Sequence, residues 1–445
     1  MKRVSVSVPD FLLIVNLITG ILLYLINYSS LVAVIIHVII TLILVIRAII
    51  ISDGPRMTYS TALLMYTCAT QFGLVIPYAL LGNQAVSGYA DWTIRFLHSD
   101  YLCKAIILGT IAVSFFELAV QLSRNKYRMN LLQGNVYNEN EAWSTRMYIV
   151  GILSLLVVLI YFGYHITTGG MSVFASYRAF MQSSAYNSSI YPYVLILFYV
   201  GTIYLSAAGE IREHRIGWGL WILLAIVFAF NGNKGEFLYA SLAALGMKGV
   251  EGYKIKGKIM LLIAGIVFLL IPFITSMRGV GIVGNKWSFS FNFLDAFNEM
   301  GMQIRLSVYC LEGLADGSIP MLWGRSYIQP IINIFTPFMK HTIATGELRK
   351  MYPGFGFNQV IESYLNFKLI GVLAFFGIVG YFLGKHESIV NNKPKLAYIG
   401  TITCILINAT RNYFDFVPGQ IIIVSAIYFL VLKVNPIKQQ QKNGI

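Results

Sequence analysis

Long stretches of this chain carry almost no charge. Runs such as LVAVIIHVIITLILVIRAII (31–50) and GVLAFFGIVGYFLG (371–384) recur from one end to the other. About 20 apolar residues at a 1.5 Å rise span the hydrocarbon core of a bilayer, so each such run reads as a transmembrane helix. The fold class that follows is all-α, a polytopic integral membrane helical bundle. Charged residues make up 12% of the chain, against about 25% in an ordinary soluble domain. A water-soluble enzyme core is therefore excluded.

Hydropathy and its breaks place about 12 spans, near 11–27, 31–51, 59–81, 102–122, 147–167, 191–208, 217–231, 236–250, 259–275, 367–384, 396–413 and 418–434. Residues 1–445 then form a single integral membrane domain with both termini on one side. The basic N-terminus resembles a signal peptide but lacks a small-x-small cleavage site, so it reads as an uncleaved first span. The formal charge of +14 comes from 33 Lys and Arg against 19 Asp and Glu. No basic block is interleaved with stacking aromatics in a soluble segment, so nucleic acid is not an expected partner. The excess instead follows the positive-inside rule. GMKGVEGYKIKGK (246–258) and KHESIVNNKPK (385–395) anchor the cytoplasmic side, which puts both termini in the cytoplasm. The four cysteines are scattered without metal-ligand or disulfide spacing. Neither a metal nor a cofactor is expected.

This topology makes 276–366 one large extracytoplasmic loop. So long a connection is usually functional, and its Phe, Trp, Tyr and Ile content speaks against disorder. Leu294, Phe297, Met300, Ile304, Val308 and Leu311 fall at helical spacing, with Asn298, Arg305 and Glu312 on the other face. This predicts an amphipathic helix on the membrane or across the mouth of the bundle.

The outward-facing arginines are the first candidate site. Arg278 follows the ninth span, Arg411 closes the eleventh, and Arg305 and Arg325 lie in the loop. Arginines at helix ends can simply snorkel. Several guanidinium forks around one cavity also suit a diphosphate, whose oxygens they bind bidentately. In FNGNKGEF (230–237), Asn233 and Lys234 stand at an outer tip beside two glycines. That stretch reads either as a tight helical turn or as a weak anion or sugar site. Glu362 lies in GFGFNQVIESYLNFKLIG (354–371), and His341 in the loop. Each is a candidate base for activating a hydroxyl.

Two segments carry a family resemblance. WGRSYIQPIINIFTP (323–337) is similar to the Gly-x-Ser-Tyr segment of oligosaccharide repeat-unit polymerases of the Wzy type, through Gly324, Ser326, Tyr327 and Pro337. The stretch 354–371 is similar to that family's second pattern through Gly354, Gly356, Glu362, Tyr364, Asn366, Phe367 and Gly371. Lys368 stands where a smaller residue is expected. The resemblance covers the whole chain in architecture and about 50 residues in motif.

It implies a metal-independent glycosyltransferase at the outer face of the bacterial cytoplasmic membrane. Its substrate is undecaprenyl-diphosphate-linked oligosaccharide, which it polymerises into O-antigen or capsular polysaccharide. Membrane lipid and a chain-length regulator protein are the implied partners. Arg278 and Arg411 are expected at the diphosphate, with Arg305, Arg325, Lys234 and Asn233 also binding substrate. Glu362 is expected to activate or position the acceptor, and Tyr327, Tyr364 and Asn366 to bind it. The rival readings are an O-antigen ligase, which leans on a loop histidine such as His341, and a lipid-linked oligosaccharide flippase or transporter.

Overall fold

The computed structural model describes residues 8–53, 56–127, 141–170, 177–188, 190–209, 214–254, 265, 269, 271–274, 293–336, 345–352, 356–389 and 393–433. Among these residues the chain is helical, with no strand. The longer helices are α1 (Val8–Leu25), α2 (Leu31–Asp53), α3 (Tyr59–Phe72), α4 (Val75–Leu81), α5 (Leu102–Tyr127), α6 (Glu141–Gly169), α7 (Tyr191–Ala208) and α8 (Arg215–Phe230). They continue as α9 (Lys234–Val250), α10 (Phe293–Gly301), α11 (Ile304–Asp316), α12 (Arg325–Phe335), α13 (Thr345–Met351), α14 (Gln359–Ile389), α15 (Lys393–Thr410) and α16 (Val417–Lys433).

Among the described residues, six helices are long and apolar enough to cross a membrane, or seven if the bent pair α3 and α4 counts as one span. This supports a polytopic helical membrane protein, with fewer qualifying helices than the 12 spans read from hydropathy. The difference lies in length and continuity. α1 and α8 are apolar but short, and the expected span at 259–275 lies mostly outside the described residues.

Small residues let the central helices approach closely, as they do where lipid supplies no hydrophobic drive between helices. α5 is the most buried of the six and packs along α14. A Cβ on Gly380 would sit 2.5 Å from the Phe116 carbonyl oxygen, and one on Gly384 2.6 Å from that of Val120. Polar contacts add to this. Asn16 donates from α1 to Thr41 of α2 at 2.9 Å and to Ser114 of α5 at 3.1 Å. At one end of the bundle Arg124 pairs with Glu387. The Ser60 amide and hydroxyl also donate to Glu387, at 2.6 and 3.1 Å, which ties the start of α3 to the ends of α5 and α14.

Two expected helices are broken. The run 59–81 bends by 42° between α3 and α4. At that bend Gly73 and Gly301 let backbones touch: a Cβ on Gly301 would lie 2.0 Å from the Leu74 amide nitrogen. The amphipathic helix of 294–311 divides into α10 and α11 at residues 302–303. Its polar face is partly covered by protein. Asn298 is buried and donates to the Ala85 carbonyl, and Glu312 accepts from the Ser99 hydroxyl. Residues 82–101 thus cover this face, and α11 crosses the end of the bundle opposite the Arg124–Glu387 pair.

Removing one partner of that buried pair leaves an uncompensated charge. Arg124→Ala is expected to destabilise the detergent-solubilised protein by roughly 3–5 kcal/mol, and Arg124→Met combined with Glu387→Met by less. Thermal unfolding measures both, and an Arg124→Ala variant that melts with the unaltered chain would contradict the assignment.

Candidate active site

The Gly324–Tyr327 segment and the 356–371 stretch meet at the end of the bundle that α11 crosses. Gly324 adopts φ +82° and starts α12. Asn358 caps the start of α14 by accepting from the Val360 amide at 3.0 Å. Inside α14 the helix breaks at Phe367 and Lys368, where Lys368 takes φ +52° and ψ −140°. The break folds the first two turns back, so that a Cβ on Gly371 would lie 2.1 Å from the Ser363 carbonyl oxygen. The Leu322 amide bonds the Leu365 carbonyl at 2.8 Å and holds the two segments together.

Side chains interlock across this junction. Asn366 donates to the Ser326 hydroxyl at 2.7 Å and to the Glu362 carbonyl at 2.8 Å. The Ser363 hydroxyl donates to the Gln359 carbonyl at 2.8 Å. Its proton is therefore committed, and Tyr327 donates to Ser363 at 2.8 Å while accepting from Gln359 at 3.1 Å. Burial first, and the neighbouring Glu362 carboxylate second, push the Tyr327 phenol well above its ordinary range, so it stays neutral.

Glu362 is fully buried. One carboxylate oxygen accepts the Phe414 amide at 3.0 Å. Ser326 lies beside the carboxylate, and Arg349 and Asp415 are within its electrostatic reach. The other oxygen has no hydrogen bond of ordinary geometry. A buried acceptor left in that condition costs about 1–3 kcal/mol and calls for a functional explanation.

A second cluster is three residues of chain away, at most about 11 Å from Phe414 along the backbone. The Arg411 guanidinium lies close to the Tyr66 hydroxyl, which donates to Tyr239 at 3.2 Å. The Arg411 main chain is clamped by the other motif. Phe357 donates its amide to the Arg411 carbonyl at 2.9 Å, and a Cβ on Gly356 would lie 2.5 Å from the same oxygen. Burial, then the like charge of Arg411, lower the half-buried Arg305 guanidinium to about 10, so it remains cationic at neutral pH. Two partly buried arginines thus share one electrostatic neighbourhood, an arrangement suited to a multiply charged anion.

The structure therefore brings Glu362, Tyr327 and Asn366 together, with Arg411 and Arg305 nearby. It does not gather the others. Tyr364 turns to α1, where its hydroxyl meets that of Tyr24 at 2.9 Å. Arg325 is exposed and bonds the Leu322 carbonyl of its own turn at 3.3 Å. Asn233 is buried and donates to Tyr191 at 3.0 Å, the role of a helical turn. Arg278, His341 and the side chain of Lys234 lie outside the described residues.

Sequence reading missed Ser326, Ser363 and Gln359 as a network, and the Arg349–Asp415 ion pair. Arg349 also lies 4.5 Å over the Tyr413 ring. The acid four residues after Arg411, in RNYFD, was the available signal. Among the described residues, no three His, Cys, Asp or Glu side chains gather as a metal site.

Comparison with known proteins agrees with the resemblance. The family model of O-antigen polysaccharide polymerase Wzy matches residues 10–439. Protein CapE of Staphylococcus aureus is 28% identical over 376 residues, covering 81% of this chain and 81% of its own. No solved structure matches.

The break in α14 gives a direct test. A non-glycine residue in such a conformation stores about 1–3 kcal/mol, more than the roughly 0.5–1 kcal/mol that glycine costs in a helix. Lys368→Gly is expected to melt at or above the temperature of the unaltered chain, and Gly371→Ala below it. A clear drop for Lys368→Gly would contradict this backbone geometry.

Proposed function

The chain belongs to the O-antigen polysaccharide polymerase Wzy family, and we propose that it joins undecaprenyl-diphosphate-linked repeat units into O-antigen or capsular polysaccharide. In this reading the reaction takes place at the outer face of the bacterial cytoplasmic membrane. The chain crosses about twelve times, both termini stay inside, and 276–366 lies outside. Support for this sidedness comes from the two ends of the bundle. Lys248 and Arg124 mark one end, whereas Glu362, Arg411 and α10 to α13 share the other.

The observation that carries the proposal is the meeting of both motif segments on one buried carboxylate, which accepts the Phe414 amide three residues of chain from Arg411 and keeps a second oxygen without a hydrogen bond of ordinary geometry. Glu362 accepts the proton of the acceptor sugar's hydroxyl as that oxygen attacks the donor's anomeric carbon. A new glycosidic C–O bond forms while the C–O bond to the diphosphate breaks. The lipid diphosphate leaves with the bonding electron pair. Arg411 and Arg305 neutralise the charge that develops on it, in a setting where water competes little. Tyr327 and Asn366 hold the walls of the site, and Ser326 stands beside the reacting proton. No metal takes part.

Glu362→Gln keeps the shape and the Phe414 bond but removes the base. It is expected to lower polymerisation at least a hundredfold at an unchanged membrane level. Arg411→Lys, which loses the planar fork, should slow it roughly tenfold. The assay is a gel of surface and lipid-linked glycan in a strain deleted for this gene. Deletion should leave glycan capped at a single repeat unit, and the unaltered chain should restore the ladder where Glu362→Gln does not. Full-length polymer held on its lipid carrier would point to a ligase instead. Repeat units stalled inside would point to a flippase.

A further inference from the structure

At the same end of the bundle as Glu362, a polar cleft opens beside α11. It encloses about 620 Å³ between residues 92–101, the outer half of α11 and Tyr352. Aromatic surface and charged or polar side chains share its walls. Tyr309 and Tyr352 stack with centroids 5.8 Å apart and planes 13° from parallel, and Phe96 closes edge-on against Tyr309 at 6.3 Å. Trp92, at the rim, is 70% exposed. Asp100, Glu312 and Asp316 line it with Ser99 and Ser318, and Arg95 and His98 add nitrogen donors that can serve a sugar's ring and hydroxyl oxygens. Asp316 accepts the Ser318 amide at 2.9 Å.

These are the two surfaces a sugar needs. A pyranose ring presents an apolar C–H face to an aromatic plane and a rim of hydroxyls to its sides. Ionised carboxylates only accept, so they select donors such as those hydroxyls. A lipid chain would find no matching wall among three carboxylates. Burial raises the Tyr352 phenol to about 12, which keeps it a neutral donor and acceptor.

Position ties the cleft to the reaction. Tyr309 follows Arg305 by four residues, so the two share a face of α11 one 5.4 Å turn apart. The Arg305 charge acts directly on Tyr309. A glycan whose diphosphate lies at Arg305 and Arg411 would therefore lead its sugars past Tyr309 towards Tyr352 and Trp92.

We infer that this cleft binds sugar residues of the growing glycan, as a site separate from the Glu362 centre that holds the chain between successive additions. The inference rests on the polymerase reading given above. Its test uses the full-length protein in lipid nanodiscs and, as probe, the single-repeat oligosaccharide released by mild acid from the host strain's lipid carrier. Binding is read by saturation-transfer NMR titration. Trp92→Ala and Asp316→Asn, both at exposed positions, are expected to weaken binding about tenfold each and to shift the cellular product ladder to shorter chains.

The two readings fail separately. If the cleft variants lose binding while a strain deleted for the gene still makes full polymer, the cleft stands and the polymerase reading falls. If the cleft variants bind within twofold of the unaltered chain, the cleft is overturned even where Glu362→Gln abolishes polymer. Unchanged binding with a lowered melting temperature for Trp92→Ala would likewise overturn it, making Trp92 a membrane-interface anchor.

Discussion

Backbone amides and carbonyls have no water to bond inside a bilayer, so each interruption of a helix must be satisfied by other protein groups. That constraint shapes this molecule. Its helices break at 73–74, 302–303 and 367–368, and irregular chain runs through 411–413. These breaks do not face lipid as bare backbone. Gly73 packs against Gly301, the Leu322 amide takes the Leu365 carbonyl, and the Phe357 amide takes that of Arg411. Once the breaks have to satisfy one another they collect at one end of the bundle. The side chains they carry collect with them, and the candidate site is the result.

The glycines follow from the same constraint. Gly356 lies against the Arg411 carbonyl and Gly371 against that of Ser363, at distances no Cβ would tolerate. They are spacers that let main chains touch, not parts of a phosphate-cradling loop. Gly324, with its positive φ, aims Ser326 and Tyr327 at the first turns of α14. The polar network built on them is incomplete, since Glu362, Asn366 and Gln359 each keep one buried oxygen without a hydrogen bond of ordinary geometry. Packing alone would favour replacing such groups with apolar ones. Their concentration around one carboxylate is what the proposed acceptor site rests on.

The membrane class of the chain was legible from its uncharged runs, because a span of apolar residues has few other solutions. Glu362 was also legible, as a lone acid beside an apolar run, and so was Arg411 at a helix end. What could not be read were features made by contact across long separations in the chain. The α14 break is one, since nothing in NFKLIG marks Lys368 as non-helical except that a smaller residue was expected there. The burial of Asn298 beneath residues 82–101 is another: helical spacing assigns a residue to a face but not to what covers that face. Tyr364 shows the limit of motif reading. It lies two residues from Glu362, yet a helix turns it by about 200°, and it meets α1 instead.

The most direct measurement is reconstitution. The purified chain would be placed in liposomes with lipid-diphosphate-linked single repeat units, in a chelator and without nucleotide sugars or other proteins. A ladder of multiple repeats, formed with stoichiometric release of lipid diphosphate and absent with Glu362→Gln, is the predicted result. Repeat units that remain single in the presence of the folded, unaltered chain, or a ladder that Glu362→Gln still produces, would contradict the account.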